Sequence, residues 1–325
     1  MSPYGDGHFG RWITDEAGLP AYEYTCDHAR DPVAEYRTRA GASRDHYHLL
    51  GNYRVKALAH NEGYIEVFRP DTTGCWLNRY APQHRAYAGG FGYIRVEGQV
   101  RSTLYQHLGN PLYRRVFGAG YFRKVAVWGD LAIDQVAFLP FGVDPVLLHI
   151  TTLSNRSGRA LTLSYVEYWD VLVEPVLRGR GEAWRLLQAW HPRHRTAYDE
   201  RRRLLLCSPL GRFPGPEAPP RGRDPDPPTV FLAAIDGLPV TSYETDRDAF
   251  FGEGGLASPS ALGQPDLRRG LAPAGARGRR FILALQREVA VAPGGSEVLA
   301  HLYGYAGAGA CACGGAGSAS PVGLV

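Results

Sequence analysis

The chain has 325 residues, of which 44% are hydrophobic and 21% are charged, and its net charge is +4. These values are typical of a globular protein with a sizeable core, and they exclude a disordered or fibrous chain. The small basic excess comes almost entirely from arginines that form no stripe around a known binding module, which argues against a nucleic-acid partner.

Residues 1–45 are interpreted as a partly ordered N-terminal extension. Within it, Asp31 and Pro32 predict the start of a short helix, because aspartate caps helices and proline fits the first helical position. A second helical pattern covers residues 181–189. Residues 46–305 otherwise alternate polar and apolar side chains between turn residues, which predicts a single strand-rich domain.

Four pairs of strand-like runs are joined by short turns and predict antiparallel hairpins, because such connections are too short for a parallel crossover. The pairs are 54–60 with 64–68, 122–128 with 131–139, 146–153 with 161–168, and 281–291 with 298–303. Several hairpins with few helices predict an all-β fold. We expect a large antiparallel β-sandwich with few short helices and long loop insertions.

Two stretches interrupt the strand pattern and are interpreted as loop insertions within the domain. Residues 211–228 are rich in proline, arginine and aspartate, and residues 248–280 are rich in glycine, alanine and proline. Residues 306–325 have no charge and no aromatic residue, which predicts a disordered tail. An alternative is a shifted reading frame, since GC-rich codons read out of frame encode mostly alanine, glycine, arginine and proline.

One loop region combines charged, amide and aromatic side chains that a structural turn would not need. Flat aromatic faces can cover the apolar side of a sugar ring, and fixed polar groups can bind its hydroxyls. We therefore predict carbohydrate binding by Arg69, Asp71, Trp76, Asn78, Tyr80 and Phe91. The alternative is that Trp76 belongs to the core and that Arg69 and Asp71 form a local ion pair.

A second candidate group consists of Glu167, Trp169 and Asp170. Glu167 and Asp170 could line one cleft, and a glycoside hydrolase needs two carboxyl groups at a fixed separation. The alternative is a strand end with solvated acidic residues. The sequence shows no nucleophile with a placed base, no metal-ligand spacing and no dinucleotide loop, so it indicates no catalytic residue, metal or cofactor.

The five cysteines are irregularly spaced and predict no disulfide framework. No apolar run is long enough to cross a bilayer, and no signal peptide is visible at the start of the sequence. These features favour a cytoplasmic protein without a membrane partner.

Several motifs, taken in order, resemble the N-terminal β-supersandwich domain of glycoside hydrolase family 94, formerly classed as glycosyltransferase family 36. That family includes cellobiose phosphorylase and the phosphorylase part of cyclic β-1,2-glucan synthase. The matching motifs are Arg69-Pro70-Asp71-Thr72 with Trp76-Leu77-Asn78, Gly89-Gly90-Phe91-Gly92, Leu153-Ser154-Asn155-Arg156-Ser157 with Leu161 to Tyr168, and Leu302-Tyr303-Gly304-Tyr305.

The resemblance implies a galactose mutarotase-like supersandwich that acts on oligosaccharides of the β-glucoside class and that often forms homodimers. In the family, an (α/α)6 barrel in the same chain carries the catalytic acid and the phosphate site. No series of amphipathic helices matches that barrel here, so we expect this chain alone to be inactive. Two alternatives stay open: a free-standing sugar-binding module without a catalytic partner, and a structural scaffold for a helical partner domain.

Overall fold

A computed structural model describes residues 10–24, 46–70, 74–104, 113–176, 193–213, 226–272 and 280–307. The strands are β1 Gly10–Thr14, β2 Pro20–Tyr24, β3 Tyr47–Gly51, β4 Lys56–His60, β5 Ile65–Arg69, β6 Cys75–Trp76, β7 Tyr80–Ala81, β8 Ala86–Tyr87, β9 Gly89–Val96, β10 Gln99–Ser102, β11 Tyr113–Gly118, β12 Tyr121–Trp128, β13 Leu131–Phe138, β14 Val146–Asn155, β15 Leu161–Val171, β16 Glu174–Pro175, β17 Arg193–Asp199, β18 Leu204–Leu210, β19 Thr229–Ala234, β20 Ser242–Asp246, β21 Phe281–Val291 and β22 Ser296–Ala306. In the same ranges, the helix α1 is Arg247–Phe251, and two 3-10 turns are Pro82–His84 and Ser260–Gly263. The predicted all-β fold class is therefore confirmed.

The largest layer is a ten-stranded sheet, called the large sheet, with the order β1-β2-β11-β12-β13-β14-β22-β19-β18-β17. Its strands alternate between core-facing and outward-facing side chains, as in β12, where every second residue is buried. The strands β1 and β2 come from the predicted N-terminal extension and join the sheet through the pairing of β2 with β11.

Two five-stranded sheets pack against the large sheet. The middle sheet has the order β10-β9-β15-β21-β20, and the side sheet has the order β16-β6-β5-β4-β3. Apolar residues from all three sheets form one core cluster, in which Trp169 stacks on Tyr303 with ring centroids 4.2 Å apart. The middle sheet therefore lies inside the molecule, and ten of the eleven residues of β15 are buried.

Two of the four predicted hairpins are confirmed: β4 pairs with β5, and β12 pairs with β13. The other two are wrong, because β14 and β22 belong to the large sheet whereas β15 and β21 belong to the middle sheet. The connections after β14 and β21 cross from one sheet to the other. Their strands face each other across the core, where Leu153, Leu163, Val289 and Leu299 pack in one cluster.

The predicted insertion 248–280 packs against the middle sheet over residues 248–272. Its described part, together with α1, buries Phe250, Phe251, Leu262 and Leu267 on the sheet face that points away from the large sheet. The side chain of Gln286 in β21 anchors this segment. Its Nε2 atom donates to the carbonyl of Pro265 at 2.6 Å, and its Oε1 atom accepts from the backbone amide of Leu267 at 2.9 Å.

Several sequence predictions concern residues outside the described ranges. They include most of the extension 1–45 with its predicted helix, the second helical pattern 181–189, most of the insertion 211–228 and nearly all of the tail 306–325. The candidate binding residue Asp71 also lies outside the described residues.

Candidate functional site

The candidate site lies where β15 leaves the middle sheet and continues toward β16 of the side sheet, a place called the junction. The amide of Asp170 donates to the carbonyl of Ala88 at 2.6 Å, and the amide of Leu172 donates to the carbonyl of Leu77 at 2.9 Å. Two residues later, Glu174 pairs with Trp76. The change of partner brings side chains from both sheets to one end of the molecule.

A buried carboxylate forms the floor of the junction. The side chain of Asp170 accepts hydrogen bonds from the amides of Tyr87 at 2.8 Å and Val171 at 3.0 Å. Burial raises the pKa of Asp170 to about 6, although these hydrogen bonds and the charges of Arg247 and Arg280 act in the opposite direction. At neutral pH the group is mostly ionised and accepts hydrogen bonds.

Two arginines meet at the open end of the β20–β21 ladder. Asp246 pairs with Phe281 at this end. Arg247 directly follows Asp246 in the sequence, and Arg280 directly precedes Phe281. Burial lowers the pKa of Arg280, and the charge of Arg247 on the neighbouring strand end lowers it further. Like charges in such positions repel, and the carboxylates of Asp170 and Asp248 offset part of that repulsion.

Unsatisfied donors surround this pair of cations. The Nη1 atom of Arg280 is buried and has no hydrogen-bond partner among the described residues, and the same holds for the hydroxyl of Tyr168. Arg247, by contrast, donates to the carbonyl of Arg85 and forms an ion pair with Asp248 at 3.0 Å. A buried donor without an acceptor costs stability. The Tyr168 hydroxyl is sealed in the core, whereas Arg280 is only partly buried and can turn toward a ligand oxygen.

An aromatic and ionic rim borders the junction on the side-sheet face. Trp76 is half-buried, and the guanidinium carbon of Arg79 lies 5.1 Å from the centroid of its indole ring. The Nη1 atom of Arg79 lies 3.6 Å from Oε2 of Glu174, and its Nε atom lies 3.9 Å from Oε1 of Glu66. Since the charge of Glu174 also raises the pKa of Arg280, the rim and the two junction arginines belong to one region.

Stacked aromatic rings connect the rim to α1. The ring of Tyr80 stacks on Tyr64 with centroids 4.0 Å apart, and Tyr87 lies 6.4 Å from Tyr80. Tyr87 then meets Phe251 of α1 edge to face at 5.2 Å. Tyr80 and Tyr87 are half-buried, so each presents part of its ring to solvent.

Three predicted binding residues lie in the core instead of on the surface. Asn78 is fully buried and uses its side chain to accept from the amide of Val67 at 2.7 Å and to donate to the carbonyl of Ile65 at 3.2 Å. Arg69 and Phe91 are likewise buried. Their contact with a ligand stays a prediction that this arrangement does not favour, because a saccharide would have to open the core to reach them.

The second predicted group is divided between the two faces of β15. The side chain of Glu167 points to the large sheet and accepts from Nδ1 of His149 at 2.7 Å, whereas Asp170 lies on the opposite face. Residues three positions apart in a strand face opposite ways. The hypothesis that both carboxylates line one cleft is therefore wrong, and Glu167 and Trp169 are both fully buried.

Glu167 is the centre of a polar network between the large and middle sheets. It also accepts from Nε1 of Trp169 and from the hydroxyl of Tyr165, both at 2.6 Å. Burial alone would raise the pKa of Glu167, but His149, His301 and the donated hydrogen bonds outweigh it and lower the pKa to about 2.

Two further titratable groups belong to this network. Burial lowers the pKa of His301 to about 4, so its ring is neutral at pH 7. Burial also lowers the pKa of Lys124 to about 7, although the charge of Glu167 opposes the shift. The Nζ atom of Lys124 donates to the carbonyls of Gly63 and Gly90, each at 2.6 Å. Every one of these groups is sealed in the core, so the network stabilises the sandwich and reaches no ligand.

The arginines of the junction are residues that the sequence argument missed. The cluster 277–280 is typical of a solvated surface, yet Arg280 directly precedes β21 and its Nη1 atom is buried. The available signal was a basic residue that borders a long apolar strand, together with Arg247 directly after the helix-capping Asp246. No feature of the local sequence predicts that Arg247 and Arg280, which are 33 positions apart, lie at the same end of the sheet.

Among the residues that the structure describes, no group of three or more histidine, cysteine, aspartate or glutamate side chains is placed to hold a metal ion. No helix in the described part of the chain has the length and apolar character needed to cross a membrane.

The sequence model of a family described as "Glycosyl hydrolase 94, supersandwich domain" matches residues 30–313. No curated protein matches the chain. Similar solved structures include a "Putative kojibiose phosphorylase from human microbiome", with 8% identity, a TM-score of 0.45, and coverage of 92% of this chain and 33% of that one.

Two other similar structures are more distant. The heparan sulfate lyase HepC from Pedobacter heparinus has 9% identity and a TM-score of 0.36, over 94% of this chain and 45% of that one. A galactose mutarotase related enzyme from Lactobacillus acidophilus has 7% identity and a TM-score of 0.32, over 80% of this chain and 97% of that one. The chain spans about a third of the length of the phosphorylase structure.

Proposed function

Because the chain belongs to the glycosyl hydrolase 94 supersandwich family, we propose that it is the saccharide-binding domain of a carbohydrate-active enzyme. We further propose that the ligand is an oligosaccharide of the β-glucoside class and that it binds at the junction. The observation that carries this proposal is the row of half-buried aromatic rings, Trp76, Tyr80 and Tyr87, beside the charged groups of Arg79, Glu174 and Arg280.

The chemistry of a sugar fits this set of groups. Each hydroxyl of a pyranose can donate one hydrogen bond and accept two, so it needs donors and acceptors side by side. The rim of the junction offers the guanidinium of Arg79 as a donor next to the carboxylate of Glu174 as an acceptor, and Arg280 adds a second guanidinium. The half-buried rings of Trp76, Tyr80 and Tyr87 add flat apolar surface at the rim, which suits the apolar face of a pyranose.

The local charge favours a neutral ligand over a strongly anionic one. The cations Arg247 and Arg280 lie near Asp170, and Asp248 forms an ion pair with Arg247. Two positive charges are thus opposed by two negative charges before any ligand arrives. A neutral polyhydroxyl compound can use both signs, whereas an added phosphate would meet the two carboxylates as well.

We assign no catalytic acid to the described residues. In the proposed complete enzyme, a helical barrel supplies the acid that protonates the leaving oxygen while phosphate attacks the anomeric carbon of a β-glucoside. This domain then binds and orients the saccharide, and by itself neither releases nor consumes phosphate with cellobiose.

Isothermal titration calorimetry with cello-oligosaccharides and β-1,2-gluco-oligosaccharides tests the proposal. We expect binding by the wild-type chain, and Arg280→Ala or Trp76→Ala should weaken it by about tenfold or more, as expected for the loss of one charged or aromatic contact. Arg159→Ala is the matched control, because this arginine is exposed and pairs with Glu97 at the opposite end of β15 from the junction. Unchanged affinity in both junction variants would refute the site, and no heat at millimolar sugar would refute saccharide binding altogether.

One observation favours the alternative function, a scaffold for a helical partner domain. The outward face of the large sheet presents a continuous apolar row, in which successive paired residues are Phe138, Leu148, Leu302, Ala233 and Leu204. Most of these side chains are partly exposed. If the chain binds no saccharide but Leu148→Asp abolishes its association with a separately produced family 94 barrel, the scaffold function is the correct one.

A further inference from the structure

The large, middle and side sheets have six border strands among the described residues, and one of them lacks the usual protection against pairing with another chain. Natural proteins protect an exposed sheet edge with charged residues or proline. The protected strands are β1 with Arg11, β10 with Arg101, β16 with Glu174 and Pro175, β17 with Arg193 and Arg195, and β20 with Glu244 and Asp246. The sixth border strand is β3, whose sequence Tyr-His-Leu-Leu-Gly contains neither a charged residue nor proline.

The hydrogen bonds at the two ends of β3 show which of its backbone groups face away from β4. The amide of Asn61 donates to the carbonyl of His46 at 3.1 Å, and the amide of Asn52 donates to the carbonyl of Val55 at 3.0 Å. Residues that bond to the neighbouring strand alternate with residues that do not along an antiparallel pair. The even-numbered residues of β3 therefore bond to β4, and the backbone groups of Leu49, in the middle of β3, face the side on which no described strand lies.

The side chains beside this border are apolar and exposed. Leu49 is 62% exposed, and Tyr53, in the turn after β3, is 69% exposed. Tyr53 meets Phe141 of the loop after β13 edge to face, with ring centroids 6.0 Å apart, and Phe141 and Val143 are 93% and 64% exposed. Exposed apolar side chains gathered in one place are typical of a surface that another protein covers. These four residues are called the apolar edge.

Hydrogen bonds hold the two loops of the apolar edge together. The side-chain amide of Asn52 donates to the carbonyls of Pro140 at 3.1 Å and Asp144 at 2.8 Å. The backbone amide of Tyr53 donates to the carbonyl of Gly142 at 3.2 Å. The surface is thus preorganised, which lowers the entropy cost of binding a partner.

We propose that β3 pairs with the β3 strand of a second copy of this chain, antiparallel and about a twofold axis at Leu49. The sequence of β3 is complementary to itself in that register, which favours a second copy over an unrelated strand. Leu49 lies opposite its own equivalent, and the two residues exchange both backbone hydrogen bonds. Gly51 lies opposite Tyr47, so the smallest residue of the strand faces the largest. An aromatic ring stabilises a glycine at a sheet edge in this arrangement.

The nearest lysine does not oppose the pairing at its centre. Lys56 of β4 pairs with Gly51, and its ammonium donates to the carbonyl of Asn52 at 2.9 Å. Its charge therefore lies toward the end of β3 and away from Leu49. The two copies of Leu49 meet without a charged side chain between them.

The pairing joins two side sheets into one sheet of ten strands. Each side sheet has β3 at one border and β6 with β16 at the other, so the rim around Trp76 stays open in both copies. The inference therefore does not rest on the proposed function. A border of five residues together with the apolar edge makes a small interface, so we expect a reversible dimer with a Kd on the order of 10 µM.

Sedimentation velocity of the full chain between about 1 µM and about 200 µM tests the association. We expect the mean mass of the wild type to rise from that of one chain toward that of two. Leu49→Lys places like charges opposite each other at the axis and should weaken the dimer by at least about tenfold. Leu49→Pro removes the N–H that faces the open side but no bond to β4, so it should weaken the dimer to a similar extent. Val298→Lys is the matched control, because Val298 is 50% exposed and lies on β22 inside the large sheet.

Disulfide cross-linking tests the register. Cys75 and Cys207 are buried, and Cys26, Cys311 and Cys313, which lie outside the described residues, are first replaced by serine. In this background, Leu49→Cys should form a disulfide with its own equivalent under mild oxidation, since opposed residues of a bonded pair have Cα atoms about 5.5 Å apart. Val298→Cys should stay monomeric under the same conditions.

The outcomes distinguish this inference from the proposed function. A wild type that stays monomeric at about 200 µM overturns the pairing and leaves β3 to a strand of a different protein. A dimer that both Leu49→Lys and Leu49→Pro leave intact also overturns it, because another surface then joins the copies. Calorimetry with cello-oligosaccharides on the same samples keeps the two proposals apart: a monomer that binds sugar refutes the pairing alone, and a dimer that binds no sugar refutes the proposed function alone.

Discussion

Replacement of Glu167 by glutamine tests whether the buried network stabilises the sandwich through its charge. The carboxylate is fully buried and accepts hydrogen bonds from His149, Tyr165 and Trp169. Glutamine has nearly the same shape as glutamate but carries no charge. Its two N–H donors would face His149, Tyr165 and Trp169, which are themselves donors in the wild type. The variant therefore probes electrostatics with almost no change in packing volume.

The magnitude follows from the pKa. The pKa of Glu167 is lowered from 4.5 to about 2, so the ionised form is favoured in the folded state by roughly 3 kcal/mol. Because the folded-state pKa lies below the unfolded one, this contribution is complete above pH 4.5 and is lost as the pH falls toward 2. We expect Glu167→Gln to lower the free energy of unfolding by about 3 kcal/mol at pH 7.

Urea denaturation followed by circular dichroism measures the effect between pH 7 and pH 3. Below pH 4.5 the difference between wild type and variant should shrink by about 1.4 kcal/mol for each pH unit. Glu97→Gln is the control, since Glu97 is exposed in its ion pair with Arg159 and such pairs contribute at most about 1 kcal/mol. The reasoning is refuted if Glu167→Gln is as stable as the wild type at pH 7, or if the difference does not depend on pH.

Three further predictions concern the core. Asn155→Ala should lower the free energy of unfolding by about 3 kcal/mol in urea denaturation, because its buried amide donates to three carbonyls, those of Arg159, Val291 and Ala292; a loss below 1 kcal/mol would contradict this. Phe250→Ala should cost about 3–5 kcal/mol in thermal unfolding by leaving a cavity under α1, with an exposed Phe141→Ala nearly neutral. Since the pKa of Lys124 is lowered from 10.5 to about 7, wild-type stability should gain from this residue as the pH rises from 7 to 9, and Lys124→Met should lack that gain in pH-dependent urea melts.

The local patterns predicted the hairpins whose strands stay in one sheet. The turn between β12 and β13 holds two residues, Gly129 and Asp130, and the strands pair from Trp128–Leu131 onward as the alternation indicates. The connections after β14 and β21 are also short and contain turn residues, at 156–160 and 292–295, but they change sheets. A short turn fixes the distance between strand ends and not whether the strands bond side by side or face each other across a core, so sequence alone could not decide.

Sequence alone also could not show which side chains of the Arg69–Asn78 region face solvent. Trp76 and Asn78 are two residues apart and would share a face of a continuous strand, yet Trp76 is half-buried at the rim whereas Asn78 is fully buried. The strand β6 ends at Trp76, and the chain then bends so that Asn78 can bond to the backbone of β5. Composition identified the region, but the bend decides which side chains face solvent.

The two buried carboxylates of β15 lie on opposite faces of the middle sheet, which bears on whether they could act together in cleavage. Glu167 faces the large sheet and has three donated hydrogen bonds within the core, while Asp170 faces the junction on the other side of the middle sheet. A glycosidase needs two carboxyl groups on one cleft, about 5–10 Å apart, with the sugar between them. No sugar can lie between the two carboxyls, because a layer of β-sheet separates them. Hydrolysis by the classical two-carboxylate route is thus closed to this pair, which agrees with the proposed function, in which another domain supplies the acid.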